Sequence, residues 1–466
     1  MFVWKTIKYQ LYLLQLENYE LVRYFKLLLK KGFFAQKKQR KELVWTAKVV
    51  FILALAVLLH FTVAVYLFYS RQYVLGAVVF LLLFEAYFFL FAVAAVLLWP
   101  VDWSAKFIII ARAKSRIKDQ GSRIKVIGIA GSYGKTTMKE VLKQVLGARF
   151  KVLAAPESVN TPVGIARWIL NSVAGETDIL IVEMGEHYRG DVAEICRLAP
   201  PDVAVVTGIN EAHLERMKTL ENITATVFEV VSQAKPGALV LLNGDDSNVM
   251  AHYKEYVWPD HKVKKFQISN FKFQRFNQGL LSWAAQIDPL GEVEVRLLGE
   301  YALADADAAI QIALSLGMGP EEIEKGIAKI KPVEHRLQPI KPAGEILVID
   351  DAYNGNPAGA AEAIRVLSRF EGRRKIYITP GLVETGRQAE EVHKKIGQEL
   401  ASVADLVILI KNSVTPFIAE GLKTAGYASE EIVWFNTVQA AHGDLKNILR
   451  PGDVILFQND WGDQYL

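Results

Sequence analysis

Two long apolar stretches near the amino terminus constrain the fold more than any other feature of this 466-residue sequence. They cover residues 45–69 and 74–99, and each exceeds the roughly 20 residues that a helix needs to cross the hydrocarbon core of a bilayer. Only four residues separate them, which leaves room for a tight turn and nothing more. We therefore predict a two-helix transmembrane hairpin over residues 45–100, with a buried hairpin of a soluble protein as the alternative.

Basic residues flank this hairpin on both sides, whereas the link between the spans carries only Arg71. The flanking cations are Lys37, Lys38, Arg40, Lys41, Lys106, Arg112, Lys114, Arg116 and Lys118. Because segments rich in Lys and Arg stay in the cytoplasm, we expect a multi-pass protein of the plasma or inner membrane. Both termini and the part that follows the hairpin would then lie in the cytoplasm. The first apolar stretch begins too late and is too long for a secretory signal peptide.

Residues 1–44 form a basic amino-terminal segment with ten Lys and Arg against three Glu. Residues 1–32 have the mixed apolar and basic pattern of an amphipathic helix, which would either lie on a membrane surface or pack against protein. Next to apolar spans, the positive charge favours anionic membrane lipids as partners. No nucleic-acid-binding motif accompanies it, so we expect no nucleic acid as a partner.

After a basic linker at residues 101–122, short β-branched runs alternate with helical patterns. This alternation predicts parallel βαβ units, first in a central domain over residues 123–332 and again in a Rossmann-like α/β domain over residues 333–466. Residues 262–298 have the period of two that is typical of an antiparallel flap. The expected fold class is thus α/β, preceded by the α-helical membrane hairpin. The single cysteine, Cys196, excludes a disulfide framework.

A glycine-rich phosphate-binding loop is predicted between the first strand and the first helix of the central domain, which makes it a P-loop domain with a parallel sheet. The loop and the start of the helix contain Gly131, Ser132, Tyr133, Gly134, Lys135, Thr136 and Thr137. Glycines let successive backbone N–H groups face an anion, and the helix N-terminus adds its positive end. Lys135 is expected at the β- and γ-phosphates and the Thr136 hydroxyl at Mg²⁺. The strict motif is not met, because position 129 is Ile; an incidental glycine-rich turn is the alternative.

Further motifs follow in a fixed order along the chain. They read VNTPVGI at 159–165, EMG at 183–185, EAHLE at 211–215, LNGDD at 242–246 and DDAYNGNP at 350–357, with Arg336 before the last. Together with the loop at 131–137, this set resembles the Mur ligase family, and within it the branch that adds D-alanyl-D-alanine. The resemblance covers residues 123–466. The membrane hairpin stands where that branch has a domain for a uridine-diphosphate sugar.

The resemblance implies an ATP-dependent, ADP-forming ligase that joins a carboxylate to an amine through an acyl phosphate. Its substrates would be a carboxylate and an amino acid or peptide amine, with a lipid-linked or membrane-proximal acceptor. The implied cofactors are ATP and Mg²⁺. The implied catalytic residues are Lys135, Glu183 and His213, and the implied metal ligands are Thr136, Glu183 and His213.

The resemblance also assigns nucleotide contacts outside the loop. Asn243 would hydrogen-bond the adenine, and Arg336 and Asp351 would reach phosphates or ribose from the carboxy-terminal domain. Structural roles are the alternatives: a helix-capping acid for Glu183, a hydrogen-bonded loop histidine for His213, and an interdomain salt bridge for Arg336. Asp351, at a strand end, could cap the next helix.

Several positions depart from the family pattern. Members commonly carry a carbamylated lysine two residues before a glutamate in the helix after the AHLE motif, but here Val227 precedes Glu229. Another carboxylate would have to replace it, with Glu215 preferred over Glu229, or the enzyme would work with one metal ion. The family's GxHNxxN segment reads GEYALAD at 299–305, and its KGSR region reads QNDWGD at 458–463.

Three functions are compatible with these sequence motifs. The first is a cell-envelope ligase of peptidoglycan precursor synthesis at the membrane. The second is a poly-γ-glutamate or capsule-type amide ligase, against which the segment at 350–357 argues. The third is a membrane-tethered nucleotide-binding scaffold that has lost catalysis. Val227 favours it, whereas four intact residues argue against it: Lys135, Thr136, Glu183 and His213.

Overall fold

The computed structural model describes residues 2–17, 19–32, 43–70, 73–74, 77–78, 87–157, 159–173, 175–186, 188–211, 214–340, 345–353, 355–383 and 385–459. The chain divides into two compact units, Met1–Ile109 and Ile110–Leu466.

The first unit is helical. Its helices are α1 (Phe2–Leu16), α2 (Leu21–Lys31), α3 (Ala47–Tyr69) and the first part of α4 (Tyr87–Lys118). One large side chain from each helix, namely Leu11, Tyr24, Ile52 and Phe91, is fully buried in a shared core. The amphipathic segment predicted at the amino terminus is therefore two helices whose apolar sides pack inside this unit.

Helices α3 and α4 are each long and apolar enough to cross a membrane by length and composition, with mean hydropathies of 2.6 and 1.8. Only 22% of the most apolar part of each is buried, and Phe51, Phe61 and Tyr66 of α3 are exposed. Helix α4 passes through Pro100 and continues to Lys118. Most of the segment predicted as a linker at 101–122 is thus helical.

The second unit contains a central domain built on a six-stranded parallel sheet. Its strands are β1 (Lys125–Ala130), β2 (Val152–Ala154), β3 (Ile179–Glu183), β4 (Val203–Val206), β5 (Leu239–Asn243) and β6 (Lys262–Phe266). They lie in the order β2-β3-β1-β4-β5-β6, so β1 is central. Five of the six residues of β1 and all of β3 and β4 are buried, as expected for strands covered on both faces.

Helices cover both faces of this sheet. They are α5 (Lys135–Leu146), α6 (Pro162–Ser172), α7 (Asp191–Leu198), α8 (Leu214–Met217), α9 (Leu220–Ser232), α10 (Ser247–His252), α11 (Tyr301–Ser315) and α12 (Pro320–Ile327). The predicted flap is a three-stranded antiparallel sheet of β7 (Phe273–Asn277), β8 (Ser282–Ile287) and β9 (Gly291–Val295). Strand β6, which the prediction included in the flap, instead pairs in parallel with β5.

The carboxy-terminal domain is α/β, as predicted, and it is built on a second six-stranded sheet. Its strands are β10 (Gln338–Ile340), β11 (Leu347–Asp351), β12 (Lys375–Thr379), β13 (Leu406–Ile410), β14 (Ile432–Phe435) and β15 (Val454–Gln458), in the order β10-β11-β15-β12-β13-β14. All pairs are parallel except β10 with β11. The helices are α13 (Pro357–Ser368), α14 (Ala389–Ala401), α15 (Thr415–Thr424) and α16 (Val438–Ile448).

Candidate nucleotide site

The glycine-rich loop lies at the carboxyl end of the central strand. Strand β1 ends at Ala130 and helix α5 begins at Lys135, with Gly134 as its N-cap at a φ of +79°. Gly131 has a φ of +149°, and a Cβ there would lie 2.2 Å from the Thr207 hydroxyl and 3.0 Å from the backbone of Gly208. A side chain at Gly131 would be blocked by these neighbours, and Gly134 has a left-handed backbone conformation that favours glycine. The result is a loop at a helix N-terminus, a geometry that suits the binding of an anion.

Lys135 is held inside this loop. Its ammonium donates to the backbone oxygen of Gly131 and lies 2.7 Å from Oε1 of Glu186. The side chain of Glu186 is only 1% exposed, and that of Lys135 13%. The sequence-based prediction did not include Glu186, although its position three residues after Glu183 placed it just past the same strand end.

Glu183 is the last residue of β3, and it pairs in register with Ile129 of β1. Its two carboxylate oxygens lie 3.3 and 3.4 Å from Oγ1 of Thr136. The ammonium of Lys139, one helical turn after Lys135, lies 3.2 Å from Oε2 of Glu183. The side chain of Lys139 is 1% exposed, so this ion pair is buried. Helical spacing from Lys135 is a signal that could have indicated Lys139 from the sequence.

The donor atoms at this edge suit Mg²⁺. A hydroxyl and a carboxylate, Thr136 and Glu183, stand together beside the phosphate-binding loop. Within the described ranges no three His, Cys, Asp or Glu side chains form a cluster that could hold a metal alone. Mg²⁺ characteristically takes one or two protein carboxylates together with substrate phosphates, so this incomplete set fits it. His213, the third predicted ligand, lies outside the described residues.

Asn243, at the end of β5, lies at the same edge of the sheet. Its amide nitrogen donates to the backbone oxygen of Thr207 at 2.7 Å, and its oxygen accepts from the backbone N–H of Asp245 at 3.0 Å. The Tyr133 hydroxyl donates to Asp246 at 2.5 Å, and burial together with this carboxylate raises the pKa of the tyrosine. Asp246 also caps α10 by accepting from Val249. The loop is thus tied to the segment that follows β5.

The remaining loop residues are fixed by the backbone around them. The Ser132 N–H donates to the oxygen of Gly208 at 2.8 Å, and Thr137 is buried in the first turn of α5. The neighbouring Thr207 hydroxyl lies within hydrogen-bond distance of the backbone oxygens of Ala130 and Tyr133. These bonds connect both ends of the loop to the end of β4.

Arg336 and Asp351 lie together in the carboxy-terminal domain. Arg336 donates to the backbone oxygen of Tyr353 at 3.0 Å and stacks 4.6 Å from the centre of its ring. Asp351, at the end of β11, accepts from the N–H of Leu337 at 3.2 Å. Burial raises the pKa of Asp351 to about 7, although Arg336 acts in the opposite direction. Asp351 does not cap α13: Asn356 occupies that position and accepts from Gly359.

Val227 and Glu229 lie on α9, the helix where the family's modified lysine is expected. The Val227 side chain is fully buried. The two oxygens of Glu229 accept from the N–H groups of Gly190 and Ala193, each at 2.9 Å, so this carboxylate caps α7. Burial raises its pKa. Both oxygens of Glu229 are thus used at a helix terminus, and the side chain of Glu215, the preferred substitute, lies outside what the structure describes.

Comparisons with known proteins agree with this geometry. Residues 129–313 match the Mur ligase middle domain, and residues 335–458 match the glutamate ligase domain of Mur ligases. Among curated proteins, the UDP-N-acetylmuramoyl-tripeptide--D-alanyl-D-alanine ligase of Bacillus subtilis is 27% identical over 356 residues, 75% of this chain and 76% of that protein. The ligase of the same name from Mycobacterium tuberculosis is 29% identical over 365 residues, 71% of this chain and 69% of that protein.

The fold is also that of solved ligases. The crystal structure of MurF ligase from Thermotoga maritima in complex with ADP has a TM-score of 0.66 and 27% identity, and the match covers 76% of this chain and 80% of that one. MurF from Acinetobacter baumannii, at 24% identity and a TM-score of 0.66, shows the same fold. The two matched domains span more than half of the sequence and contain the phosphate-binding loop with Glu183. The chain belongs to the Mur ligase family.

Proposed function

We propose that this protein is an ATP-dependent, ADP-forming ligase of peptidoglycan precursor synthesis that joins a carboxylate to an amine. The observation that carries the proposal is the arrangement of Lys135, Thr136 and Glu183 around a glycine-rich loop at the N-terminus of α5. This set combines an anion cradle, a cation and metal-ligating oxygens at one point. Transfer of a phosphoryl group depends mainly on such positioning and charge neutralisation.

Each residue has a distinct task in this proposal. The backbone N–H groups from Gly131 onward and the N-terminus of α5 bind the phosphates, and Lys135 turns from Glu186 toward the transferred group. Thr136 and Glu183 would hold Mg²⁺, with His213 as a further ligand. When bound, the metal ion neutralises charge on the phosphate oxygens. The substrate carboxylate attacks the γ-phosphorus, ADP leaves, and the amine then displaces phosphate from the acyl phosphate to form the amide.

The nucleotide base and ribose would be bound by residues farther from the loop. Asn243 lies on the same sheet edge and could exchange its bond with Thr207 for one with the adenine. Arg336 and Asp351 would approach from the carboxy-terminal domain. These three assignments rest on the resemblance to the family and on the placement of the residues at strand ends.

The relatives' names supply the substrate class. By their names, these relatives ligate a UDP-N-acetylmuramoyl-tripeptide and D-alanyl-D-alanine. We propose substrates of the same chemistry here, a peptide carboxylate on a cell-wall precursor and an amino acid or dipeptide amine. We further propose that residues 1–122 take the place of the uridine-diphosphate-sugar domain that the resemblance implies, and that the acceptor is lipid-linked or bound close to the membrane.

We propose that α3 and α4 anchor the protein in the plasma membrane, with the catalytic part in the cytoplasm. The outward exposure of large apolar side chains on α3 supports this, as do the basic residues that flank the hairpin. A soluble hairpin would bury these side chains in protein.

The test is ADP release by the purified full-length protein in detergent. UDP-N-acetylmuramoyl-tripeptide and its undecaprenyl-linked counterpart would be compared as carboxylates, with D-alanyl-D-alanine, D-alanine and L-glutamate as amines. We expect ADP release that requires both substrates, with amide product in equal amount, and none from Lys135→Ala. Release with L-glutamate alone would instead favour a polymer-forming ligase. Nucleotide binding without turnover on any pair would favour the scaffold.

A further inference from the structure

We infer that Glu186 is a ligand of a divalent cation that binds together with the terminal phosphate of the nucleotide. The inference rests on the proposed nucleotide site. Glu186 follows β3 by three residues, and its side chain is 1% exposed. It is the carboxylate that touches the ammonium of the phosphate-binding loop, at 2.7 Å.

One oxygen of Glu186 has its bonding capacity unused. Oε1 accepts from Lys135, but Oε2 is buried and has no hydrogen-bond partner in the part of the chain that the structure describes. A buried carboxylate oxygen without a partner is costly, because it has lost its water and gained nothing in return. A cation placed against Oε2 would remove that cost. The oxygen stands beside Lys135, where the phosphates are expected.

The balance of charges around the loop also favours a divalent cation at Glu186. Lys135 pairs with Glu186, and Lys139 pairs with Glu183, so each ammonium at this edge already faces a carboxylate. A triphosphate that enters beside Glu186 would therefore meet a neutralised lysine and a like charge. A divalent cation between Glu186 and the terminal phosphate turns this repulsion into attraction. Lys135 is then free to contact the phosphate.

The other carboxylates near the site already have protein partners for both of their oxygens. Glu183 faces Thr136 and Lys139, and both oxygens of Glu229 cap α7. Val227, fully buried, cannot ligate a metal. Glu186 thus retains a carboxylate oxygen that has no protein partner among the described residues, and this oxygen is available to a cation in addition to the ligands proposed at Thr136 and Glu183. Mg²⁺ sites of one or two carboxylates completed by phosphates are common.

The experiment measures metal and nucleotide binding rather than turnover. Full-length protein is titrated with Mn²⁺ as a substitute for Mg²⁺, and free Mn²⁺ is followed by electron paramagnetic resonance with and without a non-hydrolysable ATP analogue. Affinity for the analogue is measured separately in EDTA. The variants are Glu186→Gln, which keeps the shape and an acceptor for Lys135, and Glu186→Ala. The matched control is Glu194→Gln, an exposed glutamate on the nearby helix α7.

We expect Glu186→Gln and Glu186→Ala each to weaken analogue-dependent Mn²⁺ binding by about tenfold or more, the scale of losses at metal sites. In EDTA both variants should bind the analogue more tightly than the wild type, because a like charge is gone. The Glu194→Gln control should match the wild type in both measurements. Unchanged Mn²⁺ affinity in Glu186→Gln overturns the inference, even if nucleotide binding in EDTA tightens. A wild-type protein that binds no analogue contradicts the proposed function itself.

Discussion

Lys139 and Glu183 form an ion pair inside the central domain, with the lysine ammonium 3.2 Å from Oε2 and the lysine side chain 1% exposed. The pair joins the first turns of α5 to the end of β3. Because Glu183 also faces the Thr136 hydroxyl, Lys139 fixes the orientation of a proposed metal ligand. Because Lys139 is buried and contacts Glu183, we expect it both to stabilise the fold and to position that carboxylate.

Lys139→Met should lower the free energy of unfolding by about 3 kcal/mol, because a buried carboxylate loses its partner. It should also raise the Mg²⁺ concentration needed for half-maximal turnover. Urea denaturation of the full-length protein in detergent and a Mg²⁺ titration measure the two effects. Lys143→Met is the control: this lysine is 50% exposed, and its surface pair with Glu140 should contribute less than about 1 kcal/mol. Equal effects of the two variants would contradict the positioning role.

A second prediction concerns the pair of Lys135 and Glu186. Lys135→Ala should reduce turnover by at least about a hundredfold and also destabilise the protein, because Glu186 remains buried without its cation. The double variant Lys135→Ala with Glu186→Gln should recover most of the lost stability and none of the activity. Thermal unfolding and ADP release test this. Additive effects on stability would mean that the two side chains do not interact in solution.

Asp305, on α11, has an oxygen that is buried and unpartnered among the described residues, and burial raises its pKa to about 8. The ordinary pKa of an aspartate is about 3.9. The folded state therefore retains a proton on Asp305 that the unfolded state loses near pH 4. The contribution of Asp305 to the free energy of unfolding is therefore fully present below about pH 4, and it is lost as the pH rises from about 4 to about 8. Asp305→Asn should raise the melting temperature at pH 8.5 and change it little at pH 5. A stabilisation that is equal at both pH values would contradict the assignment.

Glu229→Gln tests the role of that residue as a cap rather than a metal ligand. A neutral amide retains only one acceptor for the N–H groups of Gly190 and Ala193, so we expect a loss of about 1 kcal/mol in stability. The Mg²⁺ dependence of turnover should not change. A marked rise in the required Mg²⁺ concentration would show that this carboxylate reaches the metal.

Activity should require Mg²⁺ and show no dependence on bicarbonate, because Val227 occupies the position of the modified lysine and is fully buried. The measurement is ADP release in buffer depleted of CO₂, with and without added bicarbonate. Equal rates are expected. Rescue by bicarbonate would mean that a carbamylated lysine exists elsewhere in the chain.

Membrane topology can be tested with a cysteine probe, because the single native cysteine, Cys196, is buried. A membrane-impermeant thiol reagent applied to intact cells should label Ser70→Cys, in the turn after α3, and spare Ser429→Cys, which is exposed in the carboxy-terminal domain. Both sites should react after the cells are lysed. Labelling of Ser429→Cys from outside would reverse the proposed orientation.

Much of the fold could be predicted from the sequence, because its signals are local. Buried parallel strands appear as β-branched runs, and the loop at 131–137 is recognisable from its glycines and its position between a strand and a helix. Strand β6 was misplaced in the flap because it lies at the edge of the sheet and is largely exposed, so its residues lack the apolar run of the central strands.

The charged contacts of the site were harder to predict from the sequence. Lys139 and Glu186 belong to residue types that are mostly exposed, so residue type alone does not predict that they are buried. Their burial depends on the packing of α5 against β3, which brings together side chains 44 to 51 positions apart in the chain. Spacing within one helix could suggest Lys139, but no local pattern indicates that Glu186 turns inward.

The pairing of Ile129 with Glu183 links the interior of the protein to its chemistry. At position 129, where a strict phosphate-binding motif has its first glycine, this chain has a buried isoleucine. The backbone hydrogen bonds between β1 and β3 that hold Ile129 also fix the position of Glu183 relative to the loop. A substitution that leaves a cavity at position 129 should therefore lower turnover as well as the melting temperature. Selection for catalysis would then maintain a side chain that never meets a substrate.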